Sequence, residues 1–131
     1  MERESLPETA RFAAAATEST SVGGHTAASG ALLAPSAFTG ADFLFKCATK
    51  RDTVRGRALP ASGREGDAPT YYRLRDRDGN LVRMSVQPEA WCVMPDEVFK
   101  GGLAFKLESV EAGTDVPLAQ AGCDVVVAMK S

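Results

Sequence analysis

His25, Cys47, Cys92 and Cys123 are the side chains whose types could ligate a metal or pair as nucleophile and base. Their spacing argues against both. Structural zinc sites present two ligands from one turn, at Cys-x2-4-Cys or His-x3-5-His separations, whereas these cysteines stand 45 and 31 residues apart. Three scattered cysteines read as small buried hydrophobes of a reducing compartment, or of a particle assembled there. His25 lies in a Ser/Thr/Gly/Ala-rich stretch where nothing holds it within hydrogen-bond reach of a nucleophile. Among the carboxylates, Asp76 and Asp78 suit a turn, where Asp caps backbone amides. Asp96 and Glu97 follow Pro95 and suit the first turn of a short helix. No Gly-x-Gly-x-x-Gly, Walker-type phosphate loop or Gly-x-Ser-x-Gly elbow occurs. The expectation is no enzyme, no metal and no cofactor.

One constellation stands out. Asp76-Arg77-Asp78-Gly79-Asn80 separates two alternating runs, and Asp-Gly is a strong hairpin signal. A two-residue loop would mix apolar and charged residues on each face. A three-residue loop, with Gly79 at the left-handed position of a bulge, pairs Asp76 with Asn80. It places Tyr72, Leu74, Val82, Met84 and Val86 on one face, and Tyr71, Arg73, Arg75, Leu81, Arg83 and Ser85 on the other. The second register is expected, because the first would bury arginines. Arg73, Arg75 and Arg83 then project together beside Tyr71, with Arg77 at the tip. Such a face offers guanidinium forks to an anionic partner, or it is simply a solvated, charge-blunted sheet face. Tyr71 offers a ring on which a base can stack, but the chain lacks the basic excess and the RNA-binding sheet motifs that single-stranded nucleic-acid binders carry. An acidic protein surface is the more natural partner.

These elements sit in a chain of 131 residues with a net charge of −2, enough for one domain. Residues 1–41 carry −2, residues 42–86 carry +4 and residues 87–131 carry −4. Self-association is therefore expected, the basic hairpin of one copy meeting the acidic third of another. No apolar run approaches the roughly 20 residues that span a bilayer, so no membrane partner is expected. The opening Met-Glu-Arg-Glu-Ser lacks a basic region followed by an apolar one, so no secretory signal is expected either.

From Asp42 onward the pattern has a period of two. Phe43, Phe45 and Cys47 alternate with Leu44, Lys46 and Ala48, as do Leu103, Phe105 and Leu107 with their neighbours, and both runs read as strands. Thr53–Leu59 is a weaker strand, and Pro60–Pro69 a loop. Val125–Met129 reads as a strand buried on both faces. The expected core contains Phe43, Phe45, Tyr72, Leu74, Val82, Met84, Phe105, Leu107 and Val127. The fold class is all-β, a small sandwich or partly open barrel over 42–131, preceded by an extended, largely irregular arm over 1–41. A short helix over 8–17 is expected within that arm, from Ala13–Ala16. Leu32, Leu33 and Phe38 are its large apolar residues and read as partner anchors. Trp91 reads as core or as an interface anchor, since Trp is over-represented at binding hot spots.

A small β domain without catalytic residues, behind an Ala/Thr/Ser/Gly arm, has the character of an accessory subunit in a large assembly. Capsid decoration or cement proteins of tailed bacteriophages have this general build, although the chain carries no diagnostic motif of theirs. The expected function is a structural protein that clamps a larger protein assembly, its major capsid protein in the phage case, with the flexible arm over 1–41 as its tether, in a virion or otherwise in cytoplasm. A ligand-binding or adaptor barrel, and a single-stranded nucleic-acid binder, are the alternatives.

Overall fold

The computed structural model describes residues 6–23, 27–39, 42–49, 69–101 and 103–131. His25, the Thr53–Leu59 strand, nearly all of the Pro60–Pro69 loop and Gly102 lie outside them. The fold is all-β, with eight strands among the described residues: β1 (Leu6–Phe12), β2 (Ser29–Leu33), β3 (Asp42–Ala48), β4 (Tyr71–Arg73), β5 (Arg83–Ser85), β6 (Trp91–Val93), β7 (Phe105–Val110) and β8 (Cys123–Lys130). They form two open sheets in a sandwich-like arrangement, so the barrel alternative is set aside. The first sheet has the order β1-β8-β2-β6; in the second, β3 is flanked by β7 on one side and by β4 and β5 on the other.

Alternation of large apolar residues explains both sheets. Phe43 and Phe45 of β3, Phe105 and Leu107 of β7, Val125 and Val127 of β8, and Phe12 of β1 all turn into one shared core. Phe12 and Phe43 stack across the sheets at 5.8 Å between centroids, and Phe38 meets Phe43 edge-on at 5.1 Å. Burying each such ring is worth roughly 1.5–3 kcal/mol. Of the expected core, Leu74 packs only partly against it, and Tyr72 is 65% exposed. Tyr72 pairs with Cys47 and shares its face, but it stands at the sheet's rim.

The N-terminal region is largely irregular, as expected, yet it is not a free arm. Residues 6–12 pair along β8, Leu6 opposite Met129 and Phe12 opposite Cys123. Ala10, Phe12, Val22, Leu32, Ala34 and Phe38 are all buried in the common core. The helix expected over 8–17 is instead a strand followed by a turn. Ala13–Ala16 offers a helix no large apolar face to bury, whereas Ala10 and Phe12 at period two fill a core position each. Beyond the turn, the chain runs antiparallel along β7: Ser19 N–H donates to Leu107 O, and Val22 and Phe105 exchange both backbone bonds. Thr20 N–H donates to Arg11 O in the same stretch, so this segment stitches the edge of β1 to β7.

The Asp-Gly turn forms as the sequence predicts, and its arms do not. Asp76 N–H donates to Asn80 O at 2.8 Å, Arg75 bridges Leu81, and Gly79 has φ +89°. The pairing stops at Leu74 and Val82. Tyr71–Arg73 and Arg83–Ser85 lie instead along one edge of β3, opposite Ala48–Lys46 and Leu44–Asp42. They are two pieces of one broken strand, and residues 74–82 are an excursion from it. After β6, Asp96–Phe99 makes the expected single turn, a 3-10 helix that buries Val98 and Phe99. Phe99 approaches β2 at Gly30, where an added Cβ would lie 3.0 Å from its ring and 3.0 Å from Ala128 O.

Two outcomes are expected. Gly79→Val lowers stability by about 1–2 kcal/mol, because a β-branched residue resists positive φ; an unchanged urea midpoint would contradict the turn geometry. Deleting residues 1–41 removes two strands and six buried core residues, so the remainder shows no cooperative thermal transition by circular dichroism. A truncated protein that melts like the full chain would refute the integration of this region.

Candidate functional site: the outer face of the first sheet

Each sheet has an outer face, and the two are finished differently. On the second sheet, Arg73 and Arg83 point outward as the alternation predicts, but both are already paired. Arg73 donates from Nε and Nη2 to the two carboxylate oxygens of Glu108, at 2.8 and 2.9 Å, and from Nη2 to Asp115 O at 3.1 Å. Glu108 is only 3% exposed, and its hydrogen bonds hold the Arg73 guanidinium above its usual pKa. Arg83 donates to Asp42 Oδ2 at 3.0 Å, and Gly113 N–H donates to the same oxygen at 2.9 Å. These bonds tie the 111–117 loop back onto the sheet. Leu44 and Val110 on this side are fully buried while standing outside the main core. Glu18 bonds Lys46, and Lys106 lies 4.6 Å from the Tyr71 ring centroid.

The Arg-rich docking face is therefore corrected. Arg73 serves Glu108 and Asp115 of the acidic third of its own chain, and Arg83 serves Asp42, an acid of its own third. Arg75 donates to Gly79 O at 2.8 Å, which stiffens the turn, and Arg77 is exposed at its tip. The expected anchors separate likewise. Leu32 and Phe38 are corrected to residues of the protein's own core. Leu33 is one place out of phase with Leu32 and emerges on the opposite face.

That face belongs to the first sheet. Register places Leu33 opposite Trp91 and Val126, and Ala31 opposite Val93 and Ala128. Thr9 and Pro7 continue the two rows onto β1. Val93 is 82% exposed and Trp91 55%, while Ala31, Leu33, Val126 and Ala128 are partly exposed. Six apolar side chains thus form one uncovered patch on three adjacent strands. The run read as buried on both faces is buried on one: Val125, Val127 and Met129 turn inward, and Val126 and Ala128 outward. Charge bounds the patch along β8. Asp124 at one end accepts from Arg11 Nε at 2.8 Å and Nη2 at 3.3 Å, and these bonds hold its carboxyl below the ordinary value. Lys130 stands exposed at the other end.

Sequence reasoning singled out Trp91 and Leu33, which the fold makes neighbours, and missed Val93, Ala31, Val126 and Ala128. A signal for the last two was present. A strand apolar on both faces, in a chain too short for a third layer, implies a surface that meets something else.

The cysteines are free and partly buried. Burial pushes the Cys47 and Cys123 thiols up, Cys123 further through Asp124. Among the described residues, no group of three or more His, Cys, Asp or Glu could hold a metal ion, and no helix is long and apolar enough to cross a membrane. A depression of about 550 Å³ between the turn and the 3-10 helix is lined by charges of both signs, among them Arg75, Arg77, Asp78, Glu97 and Lys100. No protein-family model, curated protein or solved structure matches this chain.

Breaking the Arg73–Glu108 pair tests how the second sheet is sealed. Arg73→Met should cost roughly 3 kcal/mol, because it strands a buried carboxylate. Adding Glu108→Leu should recover most of that loss. A single variant with an unchanged urea midpoint would show the pair to be dispensable.

Proposed function

We propose that this protein is a non-enzymatic structural subunit, held in a larger protein assembly through the outer face of the first sheet. The observation that carries the reading is the contrast between the two faces. One is closed by ion pairs and a folded-back loop, while the other leaves Trp91 and Val93 open beside Leu33, Ala31, Val126 and Ala128. Uncovered apolar patches of this kind mark interaction surfaces, and a central Trp is a frequent energetic anchor. The finer reading is a cement or decoration protein of a bacteriophage capsid, resident in the virion. The chain's small size and sandwich-like build support it. Docking in that case runs through a preformed sheet face, because Leu32 and Phe38 are buried and cannot serve a tether.

The combined Trp91→Ser and Val93→Asp variant tests this. Both side chains are largely exposed, so the melting temperature should stay close to that of the parent. Co-sedimentation with high-mass particles from the producing cell should fall at least tenfold, equivalent to about 1.4 kcal/mol. A variant retained like the parent, or a parent protein found only as free low-mass species, would overturn the reading.

A further inference from the structure

The two rows of the exposed face differ in size, and the ends of β8 differ in charge. One row holds Val126, Leu33 and Trp91, and the other holds Ala128, Ala31 and Val93. Along the outer side of β8 the order is Asp124, Val126, Ala128, Lys130, which is acidic, apolar, apolar, basic. Such an order is complementary to itself when reversed.

We propose that the occupant of this face is a second copy of the same chain, packed sheet on sheet about a two-fold axis that crosses the strands at right angles. The proposal rests on the reading of this face as a docking surface and names its partner. Under that symmetry each strand lies antiparallel over its own counterpart. Val126 then meets Ala128 of the second copy, Leu33 meets Ala31, and Trp91 meets Val93, a large residue over a small one at every position. Side chains that interdigitate in this way match the roughly 10 Å spacing of stacked sheets. The same operation sets Lys130 against Asp124 of the other copy, twice per dimer. Among the described residues Lys130 has no ion pair within its own chain. Asp124 has a carboxylate already charged beside Arg11, so it can take a second cation at the rim. An isologous contact of this kind closes on itself.

Sedimentation of the purified full chain tests the geometry. The parent should be a dimer in concentration-dependent equilibrium. Lys130→Glu and Asp124→Lys should each raise the dimer dissociation constant at least tenfold, because each sets like charges together at both symmetry-related positions. An equimolar mixture of the two should recover a one-to-one dimer. In it, the introduced glutamate meets the introduced lysine at one position, and native Lys130 meets native Asp124 at the other. A general loss of fold would give no such rescue, and circular dichroism of each variant monitors it. A mixture that stays monomeric overturns the proposal, as do single variants that dimerise like the parent. A parent that is monomeric at every concentration, yet co-sediments with high-mass particles through Trp91 and Val93, overturns the second copy and leaves the docking surface standing. A dimer with the expected charge-swap behaviour that is never found in particles upholds the second copy on this face and overturns the larger assembly of the proposed function.

Discussion

β8 lies between β1 and β2, so residues near the end of the chain provide the backbone partners for residues near its beginning. Val127 faces Glu8 on one side and Leu32 on the other. Until β8 is in place, β1 has no ladder and β2 has only the three residues of β6 to pair with, so Ala10 and Phe12 have no sheet to carry them. The core depends on the same arrangement, because Phe12 on β1 is the ring that stacks on Phe43 of β3. Closing so long a loop costs entropy before any contact offsets it, and topologies of this kind fold slowly. The segment 17–22 completes the closure by hydrogen-bonding to β1 and β7 together.

That long-range constraint explains what could and could not be read from the residues. The turn at Asp76–Asn80 was legible because its geometry is local: Asp76 Oδ1 accepts from the Asp78 and Asn80 amides, and Gly79 supplies positive φ. The strands Phe43–Cys47 and Phe105–Leu107 were legible because period-two alternation needs no partner to be recognised. The sidedness of Arg73 and Arg83 was also right. Their function was not, because Glu108 and Asp42 reach them only through pairing across β3 and β7. The Ser/Thr/Gly/Ala composition of the first 41 residues suggested disorder for the same reason. Small residues such as Ala10, Ala34 and Gly30 contribute little alone, yet they fit a core that larger residues elsewhere have already defined. Of the candidate site, Leu33 and Trp91 were visible as residue types. Their adjacency arises from β2–β6 pairing, which no local pattern encodes.

The charges follow one logic throughout. Glu108 and Asp42 are buried acids, and each accepts from more than one donor, as a buried carboxylate requires. They close the outer side of the second sheet over Leu44, an apolar residue that alternation alone would have left in water. On the first sheet charge is kept to the margins, at Arg11 with Asp124 and at Lys130. An exposed pair of that type adds little stability, but it sets which surfaces can approach and in what orientation. The two faces thus use similar residues for opposite ends, one to seal and one to orient.

Edges bear on why a face, and not a strand, is the surface proposed for association. An open sheet has two edges, each able to template another strand. At β1 the edge is engaged by the stitching segment, which bonds Arg11 at both its amide and its carbonyl. At β6 the edge is only three residues long, Trp91–Val93. It lies between Pro88 and Pro95, and Glu89 precedes it with φ +62°. A proline cannot donate to a ladder, and a left-handed residue turns the backbone out of line. An added strand would find too few consecutive amides to extend along. Edge-to-edge growth, which is open-ended, is thereby blunted, while the apolar face beside it stays exposed and suits the proposed two-fold contact, which closes after one partner.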